Sequence, residues 1–228
     1  MQGWKKAYWA GARALLAATG PLQNLVDPPG VTHLFINQQA LGILRDDGLT
    51  KQAEFLGLHL GWLQRGVSWA DAGWKNVAHY FDPESGRGMQ LWPGAAGECD
   101  RYFGRAAACW RRGRLDRSLF YLGAAVHLVQ DLCVPYHSGR VPFNGHQVFE
   151  KWAEEHRLGF RAAEGIYRRA PDPSGWVRAN AMESYAYLPE LLARGDREAF
   201  HRVTGVMLPL AQATTAGFLA FFLEQVAW

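Results

Sequence analysis

Phe120-Tyr-Leu-Gly-Ala-Ala-Val-His127-Leu-Val-Gln-Asp131-Leu-Cys-Val-Pro135-Tyr-His137 is a nearly continuous apolar run interrupted by His127 and Asp131, four residues apart. It is followed closely by His146-Gln-Val-Phe-Glu150, a second pair at the same spacing. On helices each pair projects from one face. Pro135 cannot continue the first helix, so His137 falls just past its end, free to turn toward the same point. An ionised carboxylate inside an apolar helix costs several kcal/mol unless it is paired or bound to a metal. Imidazole nitrogens and carboxylate oxygens are what zinc takes in catalytic sites, where one position stays open for water. A structural zinc site more often uses thiolates, and no Cys-x-x-Cys occurs in the chain.

Working outward, the periodicity is helical almost throughout. It predicts helices from Thr32, taken as an N-cap, to Leu44, and from Thr50 to Gln64. Further helices are expected over Glu98–Arg112, Leu115–Val134 and His146–Arg169. Pro171-Asp172-Pro173-Ser174-Gly175 breaks the chain, with Ser174 placed to cap the next helix. A last helix, from about His201 to the terminus, is apolar nearly all round and so belongs at the centre of a bundle. Gly66–Gly97, rich in Gly, Trp and Pro, reads as a long ordered loop. The expected fold is all-α, one multi-helix domain over residues 1–228, with residues 1–30 an extension or first helix. Lys5 and Lys6 precede an Ala-rich run as in a secretion signal, but Arg13 interrupts it. An amphipathic helix ending near Gly20-Pro21 is the expected structure there.

Composition narrows the function classes. A chain of 228 residues can bury a core without staples, and ten Trp, twelve Phe and eight Tyr make that core aromatic. A net charge of +3 gives no basic stripe for a stable nucleic-acid partner. Cys99, Cys109 and Cys133 are too few and too irregular for a disulfide framework. No uninterrupted apolar run reaches the ~18 residues of a membrane span. The expected location is cytoplasmic, with secretion as the alternative.

Three more residues complete the candidate constellation: His33, at the start of the Thr32 helix, and Asp71 and His79, on the Gly66–Gly97 segment. Singly, each has an ordinary role: a core histidine, a loop or capping aspartate, another core histidine. His59, His156 and His201 lie in helical patterns apart from this group.

The full pattern, His127-x-x-x-Asp131, Pro135-x-His137 and His146-x-x-x-Glu150, resembles that of the zinc-dependent bacterial phospholipases C and the related single-strand-specific nucleases. The likeness extends to Thr32–Asn37, Ala70-Asp71, Ala78-His79-Tyr80-Phe81-Asp82-Pro83 and Thr215-Ala216-Gly217. It implies an all-α fold with two or three zinc ions in a cleft. By this resemblance Asp71, His79, His127 and Asp131 hold one zinc, and His137, His146 and Glu150 a second. His33 and a shared Asp131 hold the third. In that family an N-terminal tryptophan completes the third site, whereas here about thirty residues precede His33. The implied activity is hydrolysis of a phosphodiester by zinc-activated water, with Asp71 orienting or deprotonating the water. A phospholipid is the expected substrate, with transient contact to a membrane surface. A nucleotide substrate is the alternative within enzymes, and a zinc-stabilised binding protein the alternative outside them.

Overall fold

The computed structural model describes residues 30–89 and 94–228. Its α-helices are α1 (Val31–Asp46), α2 (Thr50–Leu58), α3 (Leu60–Asp71), α4 (Ala95–Trp110) and α5 (Leu115–Asp131), followed by α6 (Pro135–Ser138), α7 (His146–His156), α8 (Pro173–Tyr185), α9 (Leu188–Ala193) and α10 (Arg197–Gln225). Short 3-10 helices cover Gly73–Ala78 and Arg157–Gly159. Among the described residues there is no β-strand, only an isolated bridge between Asp82 and Arg87. The all-α expectation is borne out.

Helix α5 is the axis of the bundle, because its apolar run is continuous: every residue from Leu122 to Asp131 is buried. It packs against α3, α4 and α10. The contact with α3 is made backbone to backbone at two glycines. A Cβ on Gly66 would lie 1.9 Å from the Phe120 carbonyl oxygen, and one on Gly123 would lie 2.0 Å from that of Leu63. Any side chain at either position would push the two helices apart, and both end at the same place. The exit of α5 is fixed from the other side by α8. Asn180 Nδ2 donates to the Val129 carbonyl at 2.8 Å, and Ser184 Oγ to the Leu132 carbonyl at 2.6 Å. These side chains supply partners for carbonyls in the last turn and exit of α5, where intrahelical donors run out.

Helix α10 is long and apolar enough to cross a membrane by length and composition alone, but 83% of its apolar window is buried inside the protein. It serves as a core helix, as its all-round apolar pattern predicts.

The boundaries differ from the sequence expectation in several places. Gly30, not Thr32, precedes α1. The expected Thr50–Gln64 helix is broken at His59, between Gly57 and Gly61, into α2 and α3. The expected loop from Gly66 begins later: α3 continues to Asp71, because Gly66 lies inside a helix contact. Helix α7 ends at His156 rather than Arg169. The following segment, with Gly159 and Gly165, runs as a strap along α10: Ile166 N–H donates to the Ala213 carbonyl, and Gln212 bonds both Ala162 N–H and the Phe160 carbonyl. Asp172, not Ser174, caps α8, accepting from Gly175 N–H at 2.7 Å. Helix α10 starts at Arg197, capped by Asp196. The amphipathic helix expected before Gly20-Pro21 lies outside the described residues.

Candidate metal centre

The eight candidate side chains arrive from five helices and one loop. His33 is in the first turn of α1, and Asp71 is the last residue of α3. His79 directly follows the Gly73–Ala78 3-10 helix. His127 and Asp131 come from the last turns of α5, His137 from α6, and His146 and Glu150 from α7. Pro135 occupies the first turn of α6, where its missing N–H costs nothing, and so restarts the chain in a new direction. Gly145, at φ 96°, makes the left-handed step that places His146 first in α7.

Asp131 sits at the middle. Its Oδ2 is 2.8 Å from His79 Nδ1, 3.2 Å from His127 Nε2 and 4.0 Å from His137 Nδ1, while Oδ1 is 3.3 Å from His33 Nε2. Asp71 Oδ1 lies 3.9 Å from His127 Nε2. On the other side Glu150 Oε1 is 3.3 Å from His137 Nε2 and 2.9 Å from His146 Nε2. Donor atoms within 4.8 Å of one another form three groups: His33/His127/Asp131, Asp71/His79/His127 and His137/His146/Glu150. All but His127, which is buried behind them, line one cleft of about 880 Å³. The lining also includes the apolar residues Ile36, Phe149, Met207, Leu208 and Ala211.

These donors fit zinc. Bonds of about 2.0–2.1 Å at tetrahedral angles place neighbouring ligand atoms about 3.3 Å apart, close to the separations of His33, His127 and His137 from their carboxylates. Asp131 Oδ2 has imidazole nitrogens at 2.8 and 3.2 Å, yet makes no aligned hydrogen bond. Around Oδ2 the imidazoles converge without donating to the carboxylate, whereas Glu150 is hydrogen-bonded to His137 and His146. Asp71 and Asp131 also occupy the last residues of α3 and α5, where the helix dipole disfavours negative charge. A cation between the two ends reverses that cost.

The charges are strongly coupled. Burial would raise the Asp131 carboxyl, but His127, His137 and His79 outweigh it and hold it well below the usual range. Glu150 is likewise depressed: burial is outweighed by its bonds to His137 and His146. Burial would lower His137, but Asp131 and Glu150 push it up to about 9. His127 is raised by Asp131 against burial, whereas burial keeps His79 below its ordinary value.

A model of the family described as zinc dependent phospholipase C matches residues 32–194. The chain belongs to that family. The match spans α1 to the end of α9 and includes every candidate ligand. Among curated relatives, the phospholipase C of Listeria monocytogenes is 23% identical over 64% of this chain and 57% of its own length. That of Clostridium perfringens is 26% identical over 96% of this chain and 64% of its own length. The chain thus spans about three fifths of these relatives. Two solved alpha-toxins share the fold: one from an avian strain of Clostridium perfringens, at a TM-score of 0.74 and 22% identity over 88% of this chain and 65% of the toxin, and one from Clostridium absonum, at 0.75 and 21% over 88% and 66%.

Every predicted site residue reaches this one region of the family fold, Asp71 from a helix end rather than a loop. His59, His156 and His201 lie elsewhere, against Phe55, Trp152 and Phe160. Sequence reasoning missed Tyr80 and Tyr136, whose rings pack on His137 at 4.9 Å and His146 at 5.2 Å. It also missed Gln130, whose Oε1 is 2.8 Å from His33 Nδ1. The only signal for Gln130 was a polar residue in an apolar run.

The coupled histidines give opposite pH slopes with and without metal. In metal-free protein, the raised pKa values of His127 and His137 stabilise the fold fully below about 6.5, the unfolded imidazole value. That contribution is lost as pH rises through the folded values, about 9 for His137. His79 is depressed and acts oppositely, but only below about 6.5. Chelated protein is therefore expected to lose thermal midpoint between about pH 7 and 9. Zinc-loaded protein should gain midpoint from about pH 5 to 7, because imidazole ligands must shed protons to bind. Midpoints measured across pH with and without chelator check this, and parallel curves would remove the metal reading.

Proposed function

We propose that this chain is a phospholipase C-like hydrolase that cleaves a phospholipid at the phosphate–glycerol bond. The observation that carries the reading is the single cleft in which three donor groups share an apolar lining. We assign His33, Asp71, His79, His127, Asp131, His137, His146 and Glu150 as ligands of two or three zinc ions, with Asp131 shared between neighbours. Bound zinc lowers the pKa of a coordinated water and neutralises non-bridging phosphate oxygens.

The protein's own groups divide the remaining work. Asp71 is the base. Asp131 is enclosed by imidazoles and Glu150 bonds two of them, whereas the Asp71 carboxylate is 36% exposed, with its nearest imidazole nitrogen at 3.9 Å. It takes a proton from water, whose oxygen bonds to phosphorus. The bond from phosphorus to the glycerol oxygen breaks, that oxygen takes a proton from solvent as it leaves, and Asp71 releases its own to solvent. The products are a diacylglycerol and a phosphorylated head group. Ile36, Phe149, Met207 and Leu208 give the glycerol and acyl portion an apolar surface.

A nuclease or nucleotidase is the second reading, and base stacking needs an open aromatic face. Among the described residues, the cleft's Phe and Tyr side chains are Tyr80 and Phe149, both buried and already packed on His137 and Tyr136. That favours the lipid. The alpha-toxins among the structural relatives support the secreted alternative for location.

Purified protein never exposed to chelator is expected to carry at least two zinc ions per chain. It should turn over a vesicle phospholipid faster than single-stranded DNA, lose that activity on chelation and regain it with zinc. Absence of any transition metal by elemental analysis would sink the proposal, as would DNA cleavage without lipid cleavage.

A further inference from the structure

We infer that Gln130 is a positioning residue that fixes which nitrogen of His33 faces the metal centre. The inference rests on the metal reading above but concerns a residue outside the ligand set. His33 reaches the cleft from α1, while its neighbours His127 and Asp131 are on α5. Its ring is held from behind by an amide network across three helices. Gln130 Oε1 lies 2.8 Å from His33 Nδ1. The amide nitrogen of the same side chain donates to Asn37 Oδ1 at 2.9 Å and to Thr215 Oγ1 at 3.1 Å. Gln130, Asn37 and Thr215 are all buried, on α5, α1 and α10.

The directions of these bonds carry the argument. Both hydrogens of the Gln130 amide are committed to Asn37 and Thr215, so its oxygen faces the imidazole. An amide oxygen only accepts, so His33 Nδ1 must carry the ring hydrogen. The lone pair is then on Nε2, which lies 3.3 Å from Asp131 Oδ1 on the cleft side. This is the outer partner that orients a metal-bound imidazole and raises its basicity. His127 has none: its Nδ1 is buried without a partner. Gln130 therefore acts on one ligand, and its loss should weaken one ion.

The test is zinc affinity of the full chain by chelator competition, read beside the thermal midpoint of the metal-free protein. Gln130→Met keeps length and volume but removes the acceptor. It is expected to lower the affinity for one zinc by about 10–100-fold and leave the tighter zinc unchanged. Gln130→Glu keeps an acceptor toward Nδ1, and the unpartnered Asn37 Nδ2 can turn to meet its second oxygen. This variant should hold zinc at least as well as wild type. In a His33→Ala background, Gln130→Met should add no further loss. Thr215→Val, nearly isosteric and away from the ligands, frees one amide hydrogen and should give the same loss in smaller measure, which keeps the test usable if Gln130→Met does not fold.

Wild-type affinity in both Gln130→Met and Thr215→Val would overturn the inference. So would a Gln130→Glu protein as weak as Gln130→Met, because the amide would then have been donating to His33. A full loss from Gln130→Met without His33 would mark Gln130 as a packing residue. If wild type binds no zinc, the metal reading itself fails; if it binds zinc and these variants match it, only the role of Gln130 does.

Discussion

Asp131→Ala protein is expected to lose on the order of 10³-fold in phosphodiesterase rate, which corresponds to about 4 kcal/mol of transition-state stabilisation. Asp131 is the carboxylate toward which His33, His79, His127 and His137 all point, so no other side chain can replace it. Its removal leaves the His33 group and the His79 group without a shared anion, while His137, His146 and Glu150 keep theirs. Zinc content should fall by at least one ion per chain. A bound ligand at a hundred times its dissociation constant stabilises by about 2.7 kcal/mol. Losing one such ion should lower the thermal midpoint in zinc by roughly 5–10 °C for a chain of this size. In excess chelator the two proteins should differ by less. A variant with unchanged zinc content and unchanged rate would reduce Asp131 to a core aspartate paired with imidazoles.

Asp71→Asn should separate chemistry from stability. The amide keeps the shape of the carboxylate but is a poor base and a weaker ligand. The expected fall in rate is about 10²–10⁴-fold, the range for loss of a general base. Asp71 is at the exposed end of α3, and the buried apolar area of that helix lies at Leu63, Val67 and Ala70. In excess chelator the midpoint should therefore stay within about 2 °C of wild type, as for surface positions away from the core. Zinc on His137, His146 and Glu150 should be retained. A normal rate would place Asp71 outside the mechanism. A collapsed midpoint with an unchanged rate per folded molecule would make it a structural residue.

The ligand-bearing helices were legible because their signal is local. His127/Asp131 and His146/Glu150 each declare one helical face by spacing alone, and the apolar run around the first pair declares burial. Pro135 likewise announced the new direction that brings His137 back. The rest depended on partners distant in sequence. Gly66 looked like the start of a loop because a glycine in isolation weakens a helix; its contact with the Phe120 carbonyl, over fifty residues away, makes it a helix-contact residue instead. The strap after Gly159 looked helical because its apolar residues are spaced like a helix face, yet its main chain bonds to Gln212 and Ala213 of α10. Gln130 showed only as a polar residue in an apolar run, because its meaning lies in the direction of three hydrogen bonds.

The convergence of two helix C-termini on the cleft has a consequence for the order of events. Asp71, Asp131, Glu150 and Glu154 line the cleft, and among the described residues Lys151 is the single lysine or arginine in its lining, although the chain as a whole carries +3. Both helix ends add partial negative charge to that excess. Before any cation arrives, this excess outweighs the charge held on His137 and disfavours a phosphodiester. If the proposed function holds, ion loading precedes recognition as well as turnover, and the empty protein is blind to a phosphodiester.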